Sequence, residues 1–158
     1  MGLDSERMKT RLAYLMGEVT ALRDLLTTTP DRAQLLQDAW KRRGTRYALQ
    51  TSVEAIADVA YHICAKAYHK APGDPHEAVD KLVQEGVLSA GTAKRLHGLI
   101  GLRNRLVHGY LDIDDQRLLE LLAAGLGDLE AYAHEVTRYL EQASSDRPSD
   151  PHEDPPEP

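Results

Sequence analysis

Leu96-His97-Gly98-Leu99-Ile100-Gly101-Leu102-Arg103-Asn104-Arg105-Leu106-Val107-His108-Gly109-Tyr110 is the stretch on which the fold turns. At about 100° per residue, Leu96, Leu99, Ile100, Leu106, Val107 and Tyr110 fall on one arc, with Arg103 in its middle. His97, Asn104 and His108 align within about 40° on the other side. Apolar residues recurring with that period describe an amphipathic helix, and Leu102 adds a further apolar residue beside the arc. Ser89 is placed to start this helix, and Gly109 to end it in the left-handed conformation a C-cap often takes. Gly101, among the aligned polar residues, removes bulk and lets another chain approach closely.

The same period continues outward in both directions. Leu12, Leu15, Met16, Val19, Leu22 and Leu26 form a first helix that begins near Asp4 or Ser5 and is stopped by Thr27-Thr28-Thr29-Pro30. A short helical segment follows through Leu35, Leu36 and Trp40, and Gly44 permits a bend. Val53, Ile56, Ala57, Ala60, Ile63, Cys64 and Ala67 then make a second long stripe, ended by Ala71-Pro72-Gly73-Asp74-Pro75. Asp74 as N-cap, Pro75 as first residue and Gly86 as terminator bracket a shorter helix with Ala78, Leu82 and Val83 inward. After Tyr110, Asp114 or Asp115 opens a last long helix through Leu118, Leu122, Leu129, Tyr132, Val136 and Leu140, to about Ser144. No stretch alternates as a strand does. The expected fold is all-α, an antiparallel bundle of four to five helices over residues 5–144, with 145–158 a disordered tail rich in proline and acid.

At 158 residues the chain builds one sizeable core. No apolar run reaches the ~18 residues a membrane span needs, and the charged start resembles neither a signal nor a transit peptide, so a cytoplasmic protein is expected. The net charge of −6 is uneven: five acids in 145–158 stand against Arg147 alone, so residues 1–144 carry only two of the six negative charges. Positive charge clusters at Lys41, Arg42, Arg43 and Arg46, and again at Lys94, Arg95, Arg103 and Arg105, where it can track phosphates locally. Cys64 is the single cysteine; among apolar neighbours it reads as a buried, inert thiol. His62, His69 and His76 recur every seventh residue, but seven residues of helix is about 10 Å, too far for one metal ion.

Arginine in the middle of an apolar arc is out of place, because an unpaired buried guanidinium costs several kcal/mol. Arg103 must be paired, snorkelling, or held for an arriving anion, and phosphate suits the last role. Cleavage of RNA without a metal needs a base for the 2′-hydroxyl proton, an acid for the departing 5′-oxygen, and positive charge for the phosphorane. Histidine changes charge near neutral pH, and a helix C-terminus favours its cation, so His108 suits the proton transfers while Arg103 grips the non-bridging oxygens. Asn104 can orient the imidazole or the ribose. The expected product is a 2′,3′-cyclic phosphate, and DNA, which lacks the nucleophilic hydroxyl, should be inert. Arg103 and His108 lie about 140° apart on an ideal helix, so they face one substrate only if the helix loosens near Gly109 or a second chain completes the site.

Arg103, four residues, His108, Gly109 and Tyr110 together resemble the Arg-x4-His-x-Tyr signature of HepT-type toxins, helical ribonucleases of the HEPN superfamily. Glu85-Gly86-Val87-Leu88-Ser89 and the segment from Asp58 to His62 also resemble the family's helix contents, and the resemblance spans roughly residues 5–143. It implies a homodimer whose cleft is lined by both copies of the motif, with Arg103 and His108 catalytic, Asn104 supporting, and no cofactor or metal of its own. It also implies a partner, the minimal nucleotidyltransferase antitoxin MntA, which would silence the nuclease by transferring AMP to Tyr110; Mg²⁺ and ATP would belong to that partner. Added phosphates beside Arg103 would fill the substrate's anion site. The alternative is a non-catalytic HEPN module that binds nucleotide or RNA, or, more plainly, a structural helical dimer.

Overall fold

The computed structural model describes residues 2–109 and 113–146, and among them there are six helices and no strand. They are α1 (Ser5–Thr28), α2 (Arg32–Gln37), α3 (Ala39–Tyr68), α4 (Pro75–Gln84), α5 (Ala90–His108) and α6 (Asp115–Ser145). Four are long and two are short. Of the expected tail over 145–158, Ser145 is the last residue of α6 and Asp146 its cap, while 147–158, like Tyr110, lie outside the described residues.

Most helix starts are local events written in short polar side chains. Asp4 accepts from the Arg7 N–H, Asp74 from Glu77, Ser89 from Thr92, and Asp114 from Gln116 and Arg117. Pro75 follows Asp74 as expected, and Gly86, at φ 75°, ends α4 while the Val87 N–H reaches the Leu82 carbonyl at 2.8 Å. Two expectations change. The chain breaks at Asp38, which caps α3 through the Trp40 and Lys41 N–H groups, and α3 then runs unbroken through Gly44. Gly109 has φ −145°, not a left-handed value; α5 ends instead with the Gly109 N–H on the Arg105 carbonyl.

Ion pairs and hydrogen bonds along the seams give the helix directions. Arg7 and Arg11 at the start of α1 hold Asp58 late in α3, while Lys41 early in α3 reaches Thr29 at the end of α1, so the two are antiparallel. Ser89, which caps α5, meets Glu135, and Arg95, further along α5, meets the earlier Asp128 of α6, which makes those two antiparallel as well. Arg46 grips Asp115 through two bonds of 2.7 and 2.9 Å and ties the start of α3 to the start of α6. Gly125 of α6 leaves room for Leu99 of α5: a Cβ there would stand 2.8 Å from Leu99 Cδ1.

The core runs through α1, α3, α4, α5 and α6, built from Leu15, Leu49, Ile56, Ile63, Leu82, Leu96, Ile100 and Leu129. Tyr132 lies wholly inside, its hydroxyl donating to the Ile56 carbonyl at 2.8 Å, and burial pushes its phenol far above the ordinary range. Cys64 is buried, with burial raising its thiol, as an inert cysteine requires. Among the described residues no helix is long and apolar enough to cross a membrane.

Candidate active site

α5 projects its last two turns along an exposed edge of the bundle. The helix stays regular to His108, so the ~140° between Arg103 and His108 is kept, and the two side chains enter different concavities. His108, exposed, shares a cleft of about 550 Å³ between the end of α5 and the start of α6 with Leu102, Asn104, Arg105, Gly109, Ile113, Asp114 and Arg117. Its imidazole bonds to no described residue. Asn104 is with it, as the helical projection anticipates.

Arg103 points the other way, toward α3, into a hollow shared with Val53, Glu54, Ala57, Asp58, Tyr61 and Pro75. Its side chain keeps 22% of its exposure, and Nη2 makes one long bond of 3.3 Å to Glu54 Oε1. Nε is buried without a partner among the described residues. The apolar arc had called for a partner, and Glu54 is that partner. One weak bond leaves most of the guanidinium's five donors unused by described residues, which is the condition for gripping an anion.

His97 departs from the expected strip. It is taken by α4: Nε2 meets Asp80 Oδ1 at 2.8 Å, and Nδ1 faces His76 Nδ1 at 2.6 Å with the rings stacked. His62 accepts from the Asp4 N–H, and His69 caps α3 in a left-handed conformation, so neither shares a site with His76. Among the described residues no group of three or more metal-ligating side chains forms. Gly101 faces open space: a Cβ added there would meet nothing within 4 Å.

Glu54, Arg105 and Arg117 escaped the sequence reading as site residues. The first was hidden because pairing across 49 positions leaves no local trace. Arg105 was counted only as clustered charge, and nothing in the sequence brings Arg117 beside His108.

Residues 16–136 match the model of the family described as ribonuclease HepT-like. The chain belongs to the HepT-like ribonuclease family. A HepT described as a tRNA nuclease, from Aphanizomenon flos-aquae, is 31% identical over 96 residues, covering 61% of this chain and 65% of that protein, a little under two thirds of its length. A HepT of Shewanella oneidensis, described as an mRNA nuclease, is 26% identical over 102 residues, 65% of this chain and 77% of the relative. The HepT-like fold is shared with YutE of Bacillus subtilis, a cytosolic protein of unknown function (TM-score 0.79, 22% identity, 90% of this chain and 95% of the other). It is shared too with the tri-AMPylated Shewanella oneidensis HEPN toxin, solved in complex with its MNT antitoxin (TM-score 0.73, 21% identity, 83% and 96%).

Proposed function

We propose that this HepT-like chain is the toxin of a toxin–antitoxin pair and acts as a metal-independent endoribonuclease in a homodimer. The observation that carries the proposal is an under-bonded, largely sheltered Arg103 and an open His108 five residues apart in the last turns of α5. One chain holds them over separate hollows. A site that uses both needs a second copy, packed so that Arg103 of one chain meets His108 of the other.

In that cleft the 2′-oxygen bonds to phosphorus as the bond to the 5′-oxygen breaks. One imidazole takes the 2′-hydroxyl proton, and the protonated imidazole of the other copy gives one to the 5′-oxygen. Arg103 holds the non-bridging oxygens as charge builds on them, and Asn104 positions the ribose or the imidazole. The products are a 2′,3′-cyclic phosphate and a 5′-hydroxyl; DNA has no oxygen to begin the reaction. Tyr110 is the proposed acceptor of AMP from an MntA-type nucleotidyltransferase, on the strength of the motif and of the AMPylated relative's complex. Phosphates added two residues past His108 would compete for the anion site.

The test is incubation of the purified protein with transfer and messenger RNA in excess EDTA. Cyclic-phosphate ends, lost in Arg103→Ala and His108→Ala, are the expected result. RNA left intact by a protein that still binds it would favour the second reading, a non-catalytic HEPN module, to which the separation of the two residues in one chain lends weight.

A further inference from the structure

α3 presents to solvent a stripe whose two aromatics the bundle leaves mostly uncovered. Trp40, Arg43, Tyr47, Gln50 and Glu54 follow one another at spacings of three and four, so they share one face of the helix. Trp40 is 76% exposed and Tyr47 63%, large aromatic areas to leave in water. The Arg43 guanidinium lies over the Trp40 ring at 5.1 Å from its centroid. Tyr47 and Gln50 line a groove of about 440 Å³ with Arg43, Arg46, Leu106 and Val107, so the stripe continues onto α5 beside the motif. At its far end stands Glu54, the partner of Arg103.

The composition of the stripe selects its occupant. A coiled-coil seam with a second copy would call for apolar residues at most positions of such a three-four repeat, yet a cation, an amide and a carboxylate interrupt the two aromatics. Residues 41–46 carry four cations and no acid in a chain whose net charge is −6; Arg46 is held by Asp115, and Arg43 is the exposed cation on the stripe itself. Flat aromatic rings interleaved with arginine are what unpaired bases and their phosphates require, and a closed duplex offers its bases to neither. Seven residues separate Trp40 from Tyr47 and seven more separate Tyr47 from Glu54, about 10 Å each along the axis, with little rotation between them.

We infer that this α3 ridge is a single-stranded RNA track, on which Trp40 and Tyr47 each stack a base and Arg43 holds the intervening phosphate, leading the strand to Arg103. The inference rests on the ribonuclease reading and narrows it: the cut falls in an unpaired loop or end, not within a duplex.

Trp40 is the only tryptophan, so its emission reports on the ridge alone. The probe is a 2′-O-methyl oligouridine dodecamer, which cannot be cleaved by 2′-oxygen attack, titrated into the full-length protein beside a duplex of equal length. Quenching by the single strand, at least tenfold weaker with the duplex, is expected, and Tyr47→Ala should weaken single-strand binding about tenfold. Trp40→Leu, read by anisotropy of a labelled strand, should do the same. Cleavage of ordinary RNA, assayed in parallel, separates the two readings. Cleavage with a silent Trp40 and undiminished binding by both variants overturns the track and leaves the nuclease standing. Quenching without cleavage keeps the track and removes the nuclease. A blue shift of Trp40 emission with protein concentration, in the absence of RNA, means that a second copy covers the ridge, and overturns the track.

Discussion

The two ends of α5 treat their histidines in opposite ways. At the N-terminal end His97 is held from both sides, by Asp80 and by His76, and the neighbouring Ser89 and Arg95 each have an acid on α6. At the C-terminal end His108 bonds to no described residue, Asn104 lines an open cleft, and Arg103 has one long bond and a buried Nε without a partner. The same helix is finished at one end and unfinished at the other. Polar groups left unsatisfied at the edge of a well-packed bundle are poor investments for stability and good ones for binding a charged substrate.

Substitutions can break that contrast. The largest effect should be at the open end: His108→Ala is expected to lower the rate of RNA cleavage about 10²–10⁴-fold, the usual worth of a positioned acid or base, while Tm stays within about 2 °C. A large fall in Tm instead would make His108 structural. Against the middle of the helix, Gly125→Ala on α6 forces Leu99 to give way and should cost about 1–3 kcal/mol in urea unfolding. No loss of stability would mean that α5 is free to shift away from α6. At the finished end, His97→Ala should cost only about 1 kcal/mol, since the Asp80 pair is half-exposed, and leave cleavage within about twofold of wild type. A cleavage defect there would show that the two ends are coupled. The smallest effect concerns Cys64. Burial raises its thiol above the unfolded value, so its contribution to stability is complete below the unfolded pKa and is lost as pH climbs from there toward the raised one. Alkylation by iodoacetamide at pH 8 should be slow in the native protein and rapid in urea.

What was legible in the sequence followed the range of the force that decides it. Asp4, Asp74, Ser89 and Asp114 cap their helices within three residues of themselves; Asp74 and Ser89 could be read in place, and Asp4 and Asp114 to within one residue. Asp38 caps as they do, but it has neither glycine nor proline beside it, and Gly44 drew the break six residues downstream to a position where the helix simply faces open space. Arg103 announced itself by sitting on an apolar arc, yet its partner is on another helix, and no periodicity names Glu54. His97 shared a face with Asn104 and His108 in projection; α4 folds over it and removes it from the strip. Trp40 was read with Leu35 and Leu36 as part of one short apolar segment, and only the packing of α2 and α3 reveals that Leu35 is buried while the indole is in water.

That indole has a practical corollary. With no phenylalanine, one tryptophan already bathed in solvent, and Tyr132 the sole aromatic among the largest fully buried side chains of the described residues, melting this bundle would scarcely alter its fluorescence colour. The loss of tertiary order would be seen instead in tyrosine circular dichroism near 280 nm, and a flat emission trace on heating would be no sign of a heat-resistant protein.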